Sequence, residues 1–153
     1  MPHIHEKIDF CSEVYIVYKD KVLLRKHDKA HKWLGVGGHV ELDEVPTQAA
    51  IREVKEEVGL DVILVSPRLI PEFNESKYNQ LIPCWYMRQN RVDDIHTHID
   101  LIYFAISDSD NVVPEKPDDE WRWLTMSDLE KNELGMAESN IFYAKEALKE
   151  LGK

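Results

Sequence analysis

Three glutamates, Glu53, Glu56 and Glu57, are spaced so that an α-helix places their carboxylates on one face within about one turn. The surrounding residues predict such a helix over Pro46–Val58, because proline is tolerated in the first helical turn and Gly59 is a common helix stop. Like charges at this spacing repel each other. A chain that carries this segment therefore needs a fold in which the charged face meets either solvent or a cation.

The same helix carries an apolar stripe beside its acidic face, formed by Ala50, Val54 and Val58. Two interpretations of the glutamates stay open at this point. In the first, they form a solvated face in which Arg52 pairs with Glu56 at i, i+4, worth about 0.2–0.5 kcal/mol. In the second, they are oxygen ligands of a hard cation, and carbonyl oxygens complete the shell from an upstream loop with Gly35, Gly37 and Gly38.

The apolar runs on both sides of this helix predict strands. β-Branched and aromatic residues around the turn Tyr18–Asp20 indicate a hairpin of Glu13–Val17 and Lys21–Arg25. Further strands are predicted at 61–65, 81–87, 96–106 and 120–124, a short helix near Ser127, and a longer helix over Asn140–Leu151. This order predicts one α+β domain over residues 1–153, with a mixed sheet sandwiched between helices.

Composition excludes several classes of function. The 29 acidic and 19 basic residues give a formal charge of −10, which repels the backbone of DNA or RNA, so we expect no polymeric nucleic acid partner. No run approaches the roughly 18 apolar residues that a membrane helix needs, and the first residues do not resemble a secretory signal. We therefore expect a cytoplasmic protein with reduced Cys11 and Cys84. Such an acidic chain can still bind a phosphorylated small molecule through divalent cations.

The segment from Gly38 to Leu60 resembles the Nudix box, which is a glycine, five residues, a glutamate, seven residues and then Arg-Glu-aliphatic-x-Glu-Glu-x-Gly-aliphatic. The specified positions are occupied by Gly38, Glu44, Arg52, Glu53, Val54, Glu56, Glu57, Gly59 and Leu60. One departure lies just upstream, where the family often has proline before the double glycine and this chain has Val36. The order of flanking elements also resembles the family over nearly the whole chain.

The resemblance implies a Nudix fold and hydrolysis of a diphosphate linkage in a nucleoside diphosphate attached to another group. It also implies an Mg²⁺ site, with Mn²⁺ as a substitute, whose ligands are Glu53, Glu56, Glu57 and the Gly38 carbonyl oxygen. Arg52 is then expected to orient a carboxylate, with Glu44 and Gly59 supporting the box. The catalytic base is expected to be Glu53 or one of the loop acids Asp118, Asp119 and Glu120.

Within the family, the compact chain favours a MutT-like nucleoside triphosphate pyrophosphohydrolase that releases a nucleoside monophosphate and pyrophosphate. One alternative is a dinucleoside polyphosphate hydrolase, which the position of Tyr78 after the box resembles, and another is an ADP-ribose or nucleotide-sugar hydrolase. A non-catalytic module that senses a nucleotide is an alternative of another class, although such a module is expected to have lost box carboxylates. Exposed strand edges permit a homodimer.

Five residues outside the box are candidates for contacting the substrate: Arg25, Trp33, Tyr78, His98 and Asn140. Aromatic side chains stack on bases, although at least half of those in the chain are expected in the core. Arg25, at the end of a strand, either faces the phosphates or makes a surface ion pair. Asn140 resembles, by position, an asparagine that some MutT-like members use on a purine, or else it caps the last helix.

His96, His98 and Asp100 alternate along a predicted strand and therefore point to one face. Two histidines and an aspartate are zinc-type ligands, but the sequence pattern offers no fourth one. The sequence favours a pocket wall in which these residues contact phosphate or base.

Overall fold

The computed structural model describes residues 5–27 and 31–153. Within these ranges the chain forms eight strands and three helices. In chain order they are β1 Ile8–Tyr18, β2 Lys21–Lys26, β3 Trp33–Leu34, β4 Val36–His39, α1 Pro46–Val58, β5 Val62–Val65, β6 Tyr86–Arg91, β7 Thr97–Ser107, β8 Trp121–Leu124, α2 Met126–Lys131 and α3 Glu138–Leu151.

Strand β1 lies within an eight-stranded mixed sheet. Its residues Ile8–Val17 run parallel to Thr97–Ile106 of β7, and its other edge pairs antiparallel with β4 and then with β2. β7 pairs with β6 along its first half and with β5 along its second half. β3 and β8 pair with β2. The parallel β1–β7 pair therefore brings each paired residue of β1 beside one that lies 89 positions further along the chain.

Alternation along β1 divides the hydrophobic core between the two faces of the sheet. Val14 and Ile16 pack with Val54 of α1, whereas Tyr15 packs with Tyr143 of α3. We call these sides the α1 face and the α3 face. The arrangement confirms the predicted α+β fold, in which a mixed sheet lies between helices.

Two predicted strand boundaries are wrong. β1 begins at Ile8 rather than Glu13, because pairing with β4 and β7 extends the strand through residues 8–12, where Asp9 and Ser12 interrupt the apolar run. β6 spans Tyr86–Arg91 rather than 81–87. Pro83 cannot donate to a strand ladder, and the polar residues of β6 suit a strand at the sheet edge.

The helix boundaries are closer to their predictions. α1 covers Pro46–Val58 as predicted. α2 begins at Met126, because Thr125, two residues before the predicted start at Ser127, is its N-cap and accepts a hydrogen bond from the Asp128 N–H. α3 begins at Glu138 rather than Asn140, with Ala137 at the N-cap.

Two expectations from composition can also be compared with the structure. Cys11 and Cys84 are both free thiols. No helix within residues 5–27 and 31–153 is long and apolar enough to cross a membrane.

Candidate metal-binding active site

Helix α1 is hydrogen-bonded to the sheet at its start and ends at a glycine. The Ser12 hydroxyl of β1 donates to the Pro46 carbonyl at 2.8 Å. Gly59 adopts φ 68°, the left-handed conformation that favours glycine, and its N–H donates to the Lys55 carbonyl. The turn of α1 that carries Glu53, Glu56 and Glu57, which we call the acidic turn, therefore has a fixed position relative to β1.

The loop between β7 and β8 closes over the end of α1. The N–H groups of Val113 and Glu115 donate to the carbonyls of Val58 and Glu57 at 2.9 and 3.2 Å. These carbonyls belong to the last helical turn, which has no partners within the helix. The loop is thereby held beside the acidic turn.

The paired glycines of β4 let this strand approach the acidic turn closely. A Cβ atom at Gly38 would collide with the carboxylate of Glu53, and one at Gly37 would overlap the Ser12 carbonyl. The Gly37 N–H donates to Glu57 Oε1 at 3.0 Å. The glycines therefore bring backbone groups of β4 into contact with two of the three glutamates.

Arg52 neutralises the acidic turn through several contacts. Its guanidinium binds Glu44 in a bidentate manner, with Nε–Oε2 at 3.0 Å and Nη2–Oε1 at 2.7 Å. Its Nη1 donates to Glu53 Oε1 at 3.0 Å and to Glu56 Oε2 at 3.1 Å, and its Nη2 donates to the His39 carbonyl at 3.1 Å. A solvated helix face with a simple i, i+4 pair would contain only the contact between Arg52 and Glu56. The wider network of Arg52 therefore favours the interpretation of the glutamates as a cation site.

Arg25 contacts the opposite side of the acidic turn. Its Nη1 lies 3.3 Å from Glu57 Oε2, and its Nη2 lies 3.4 Å from Asp119 Oδ1. Arg25 is buried, because both β3 and β8 pair with β2 at this residue. The predicted ion pair is therefore present, but its predicted place on the surface is wrong. The contact of Arg25 with phosphate stays a prediction.

Burial disfavours the ionised form of Glu53 and of Glu57. It raises the pKa of Glu57 to about 8, although the charge of Arg25 opposes this change. Burial also raises the pKa of Glu53, and Arg52 opposes that shift. Buried carboxylates gain more from a nearby cation than exposed ones do, since the cation relieves both desolvation and mutual repulsion.

The donor set of this turn fits a hard divalent cation. Carboxylate and carbonyl oxygens are the ligands that Mg²⁺ and Mn²⁺ prefer. Glu53, Glu57 and the Gly38 backbone line the buried side, and Glu56, whose side chain is 50% exposed, leaves the other side open to a substrate. The residues that would hold Mg²⁺ or Mn²⁺ are those of the sequence prediction: Gly38, Glu53, Glu56 and Glu57.

Sequence reasoning missed one acidic residue of the β7–β8 loop, Glu115. The Glu115 N–H donates to the Glu57 carbonyl at 3.2 Å, and the Glu115 carboxylate is a further charge that raises the pKa of Glu53 and of Glu57. The predicted loop acid Glu120 pairs instead with Lys26, Oε2 to Nζ, at 3.1 Å. No local signal separates these two acids, because the loop's path is set by its hydrogen bonds to α1.

The α3 face of the sheet carries a second charged cluster, centred on Arg88 of β6. Its Nε lies 3.1 Å from Asp100 Oδ2, and its Nη2 lies 3.4 Å from Glu13 Oε1. Its Nη1 donates to Ser139 Oγ at 2.7 Å and to Asn140 Oδ1 at 2.8 Å. Burial raises the pKa of Glu13 and of Asp100, and the charge of Arg88 opposes both shifts.

Asn140 is a buried member of this cluster. Its Oδ1 accepts hydrogen bonds from Arg88 and from the Tyr15 hydroxyl, and its Nδ2 donates to the Trp33 carbonyl at 3.3 Å. The interpretation of Asn140 as a helix cap is wrong, since Ala137 is the N-cap of α3. Its contact with a base stays a prediction.

The other substrate candidates lie in separate environments. Trp33 is buried in the core of the α3 face, with the Arg122 guanidinium 5.5 Å from its ring. Tyr78 is 70% exposed in the loop between β5 and β6. His98 lies on the α3 face, where its ring contacts those of His39 and His96. Their contacts with a substrate stay predictions.

Comparisons with known proteins agree with this fold. A model of the NUDIX domain matches residues 14–145 of the chain. A solved hydrolase of the NUDIX family from Clostridium perfringens is 37% identical, with a TM-score of 0.81 over 94% of this chain and 97% of that one. The chain belongs to the Nudix family.

More distant structures share the fold. A MutT NUDIX hydrolase from Burkholderia pseudomallei has a TM-score of 0.61 at 20% identity, over 95% of this chain and 99% of that one. A C. elegans Ap4A hydrolase, solved as a binary complex, has a TM-score of 0.67 at 20% identity, over 94% of this chain and 99% of that one. At these identities the likeness concerns the fold alone.

A curated relative is similar over a shorter segment. Dihydroneopterin triphosphate diphosphatase of Escherichia coli K12 is 44% identical over 52 residues, which are 34% of this chain and 35% of the relative. The match therefore spans about a third of the relative's length.

Proposed function

We propose that this protein is a metal-dependent Nudix pyrophosphohydrolase that cleaves a nucleoside triphosphate into a nucleoside monophosphate and pyrophosphate. The observation that carries the proposal is the complete acidic turn, in which Glu53 and Glu57 lie against the glycines of β4 and Arg52 contacts Glu53 and Glu56. Glu53 is only 3% exposed, which a purely solvated charge cluster would not require. A nucleotide sensor has no need to keep all of these carboxylates.

The chemistry assigns distinct roles to the residues of this turn. Glu53, Glu56, Glu57 and the Gly38 carbonyl would hold a divalent ion, which would supply charge neutralisation of the diphosphate and make the attacking water easier to deprotonate. Arg52 and Arg25 fix the carboxylates of the turn from two sides. Glu53, whose pKa burial raises, accepts the proton of the attacking water as the P–O bond to pyrophosphate breaks. Two loop acids are alternatives for this role: Glu115, whose charge raises the pKa of Glu53 and of Glu57, and Asp119, which shares Arg25 with Glu57.

A triphosphate is the substrate class with the most support. The relative with 44% identity over 52 residues is named for the triphosphate of a ring compound, dihydroneopterin. Dinucleoside polyphosphates are the second candidate, because Tyr78 offers an exposed ring in the loop between β5 and β6 for a second nucleoside. The free cysteines agree with a cytoplasmic enzyme, and the edge strand β6 is compatible with a homodimer.

A turnover screen tests the proposal. Nucleoside triphosphates, oxidised purine triphosphates, dihydroneopterin triphosphate, dinucleoside polyphosphates, ADP-ribose and nucleotide sugars are each incubated with Mg²⁺ or Mn²⁺, and both products are identified. Hydrolysis in ¹⁸O-labelled water shows which phosphorus is attacked. We expect pyrophosphate and a nucleoside monophosphate, with kcat lowered at least about 10³-fold in Glu57→Gln, since a metal ion supplies several kcal/mol of transition-state stabilisation.

A matched variant, Glu133→Gln, removes an exposed glutamate of the α2–α3 connection and is expected to retain full turnover. Cleavage only of dinucleoside polyphosphates, ADP-ribose or nucleotide sugars would contradict the triphosphate assignment. Nucleotide binding without turnover of any compound would contradict the enzyme assignment and favour a sensor.

A further inference from the structure

Three strands bring metal-binding side chains together on the α3 face, away from the acidic turn. In the sheet register, Asp9 of β1 lies opposite His98 of β7, and Cys11 of β1 lies opposite His39 of β4. His96 directly precedes β7. Because side chains two residues apart in a strand share a face, Asp9 and Cys11 project to the same side as Tyr15.

Three distances between these groups are close to those between neighbouring ligands of one ion, and Cys11, His39 and His98 form a second close group that shares His98 with Asp9 and His96. His39 Nε2 lies 3.3 Å from His98 Nε2 and 3.5 Å from Asp9 Oδ2, and His96 Nε2 lies 3.1 Å from Asp9 Oδ2. Ligand atoms of Asp9, His96 and His98 all lie within 4.8 Å of one another. Neighbouring ligands of a tetrahedral ion with bonds of about 2.0–2.1 Å are separated by roughly 3.3–3.4 Å.

Backbone hydrogen bonds aim two of these side chains inward. His96 Nδ1 lies 2.9 Å from the Glu6 carbonyl, which selects the tautomer that carries its proton on Nδ1 and leaves the lone pair on Nε2. Asp9 Oδ1 accepts the His5 N–H at 2.8 Å, which directs Oδ2 towards His96 and His39. Metal-binding histidines and carboxylates are typically oriented by partners of this kind.

We propose that Asp9, His39, His96 and His98 form a second metal site, which binds a zinc-class transition metal ion. Three imidazole nitrogens and one carboxylate oxygen suit Zn²⁺, whereas Mg²⁺ prefers a shell made of oxygens. Asp9, His39 and His96 are buried and His98 is half-buried, so the ion is reached from the side of His98. Cys11, whose sulfur lies within 4.8 Å of ligand atoms of His39 and His98, flanks the four-residue site.

The ion would cross-link three strands. It would join the start of β1, the end of β4 and the start of β7, which are distant in sequence. The backbone carbonyl of His39 accepts a hydrogen bond from Arg52, so an ion bound to His39 would also hold the backbone next to Gly38 in place. We expect the ion to raise the melting temperature of the protein, because it binds only the folded arrangement.

Zinc binding to the intact chain tests this site independently of catalysis. Zn²⁺ is titrated into chelator-treated protein in excess Mg²⁺, which occupies the acidic turn, and the stoichiometry, affinity and melting temperature are measured. We expect one Zn²⁺ per chain, with affinity unchanged in Glu57→Gln. His98→Gln is expected to weaken Zn²⁺ binding at least about tenfold. Loss of a residue that only orients a metal ligand already costs about 10–100-fold in affinity, and loss of a ligand should cost no less.

Two controls and a spectrum complete the test. His31→Asn removes an exposed imidazole while suiting the left-handed backbone at φ 52°, and it is expected to bind Zn²⁺ normally. Cys11→Ala is also expected to bind normally. Co²⁺ in place of Zn²⁺ should give the intense visible absorption of a tetrahedral nitrogen site, a measurement on the unmodified chain that does not depend on any variant folding.

The proposal fails on any of three results. These are no Zn²⁺ binding in excess Mg²⁺, binding that is lost in Glu57→Gln, and binding that is unchanged in His98→Gln. Loss of binding in Cys11→Ala would overturn the four-residue ligand set and assign the ion to Cys11, His39 and His98 instead.

Discussion

The two faces of the sheet assemble their charged groups in different ways. On the α1 face, Glu53, Glu56 and Glu57 come from one turn of one helix, and Arg52 of the same turn neutralises them. On the α3 face, Arg88 joins carboxylates from two other strands with the start of α3. The first cluster follows from helical spacing, whereas the second exists only when the register of the strands is correct.

We expect the cluster on the α1 face to serve catalysis and the Arg88 cluster on the α3 face to stabilise the fold. The α1-face cluster has an open side at Glu56 and an excess of carboxylates, as a cation site requires. In the α3-face cluster, a single guanidinium serves two buried carboxylates and two polar groups of α3. Mutations on the two faces are therefore expected to change different measured quantities.

The largest effect is expected on the α3 face. Arg88→Met leaves Glu13 and Asp100 buried without their cation, so we expect the free energy of unfolding to fall by about 3–5 kcal/mol. Urea denaturation measures this change. Arg68→Met, at an exposed arginine, is the matched control and should change stability little. Equal stability of Arg88→Met and the control would show that the cluster contributes nothing to the fold.

On the α1 face, Arg52→Gln is expected to weaken Mg²⁺ binding about 10–100-fold, because the carboxylates lose the partner that orients them. Calorimetric titration with Mg²⁺ measures the affinity. Lys55→Gln, on the same helix but paired with the exposed Asp61, should retain the normal affinity. If both variants bind Mg²⁺ equally well, Arg52 does not position the site.

The pH dependence of stability reports on the same face. Without metal, the folded protein holds the proton of Glu57 up to a pKa of about 8, above its ordinary value of 4.5. Stability is therefore expected to be greatest below pH 4.5 as far as this group is concerned, and to fall as pH rises towards 8. Denaturation in the presence of a chelator measures the slope. Glu57→Gln should flatten it, and an unchanged slope would assign the effect to another group.

The smallest effect is expected at the exposed pair Lys26–Glu120. Loss of this pair in Glu120→Gln should change the free energy of unfolding by less than about 1 kcal/mol.

We expect kcat to fall more in Glu115→Gln than in Glu120→Gln, since the charge of Glu115 acts on Glu53 and Glu57. Steady-state kinetics of both variants measures this difference. A larger loss of kcat in Glu120→Gln would return the role of loop acid to Glu120.

Much of the α1 face could be predicted from the sequence. The bounds of α1 and the hairpin of β1 and β2 follow from local patterns of proline, glycine and β-branched residues. The glycine-rich segment is predicted as a loop, which is wrong, because Val36–His39 form strand β4; the close approach of Gly38 to Glu53 comes from that strand. The burial of Arg25 could not be predicted, because it depends on two strands that are separated from β2 along the chain.

The histidines show the limit of sequence patterns most clearly. The alternation of His96 and His98 is visible in the sequence, but Asp100, which seemed to belong with them, pairs with Arg88. The residues that join the histidines are Asp9 and His39, which lie far from them along the chain. No local spacing connects these positions, because their contacts depend on which strands pair and in which register.

The sequence by itself determined the acidic turn, the family resemblance and the order of most elements, because helical periodicity and glycine conformations act over a few residues. Only the tertiary structure decided that Glu115 is hydrogen-bonded to the end of α1 while Glu120 pairs with Lys26, that Arg25 is buried, and that three side chains converge beside His98. The physical reason is that a one-residue change in strand register moves every side chain to the opposite face of the sheet.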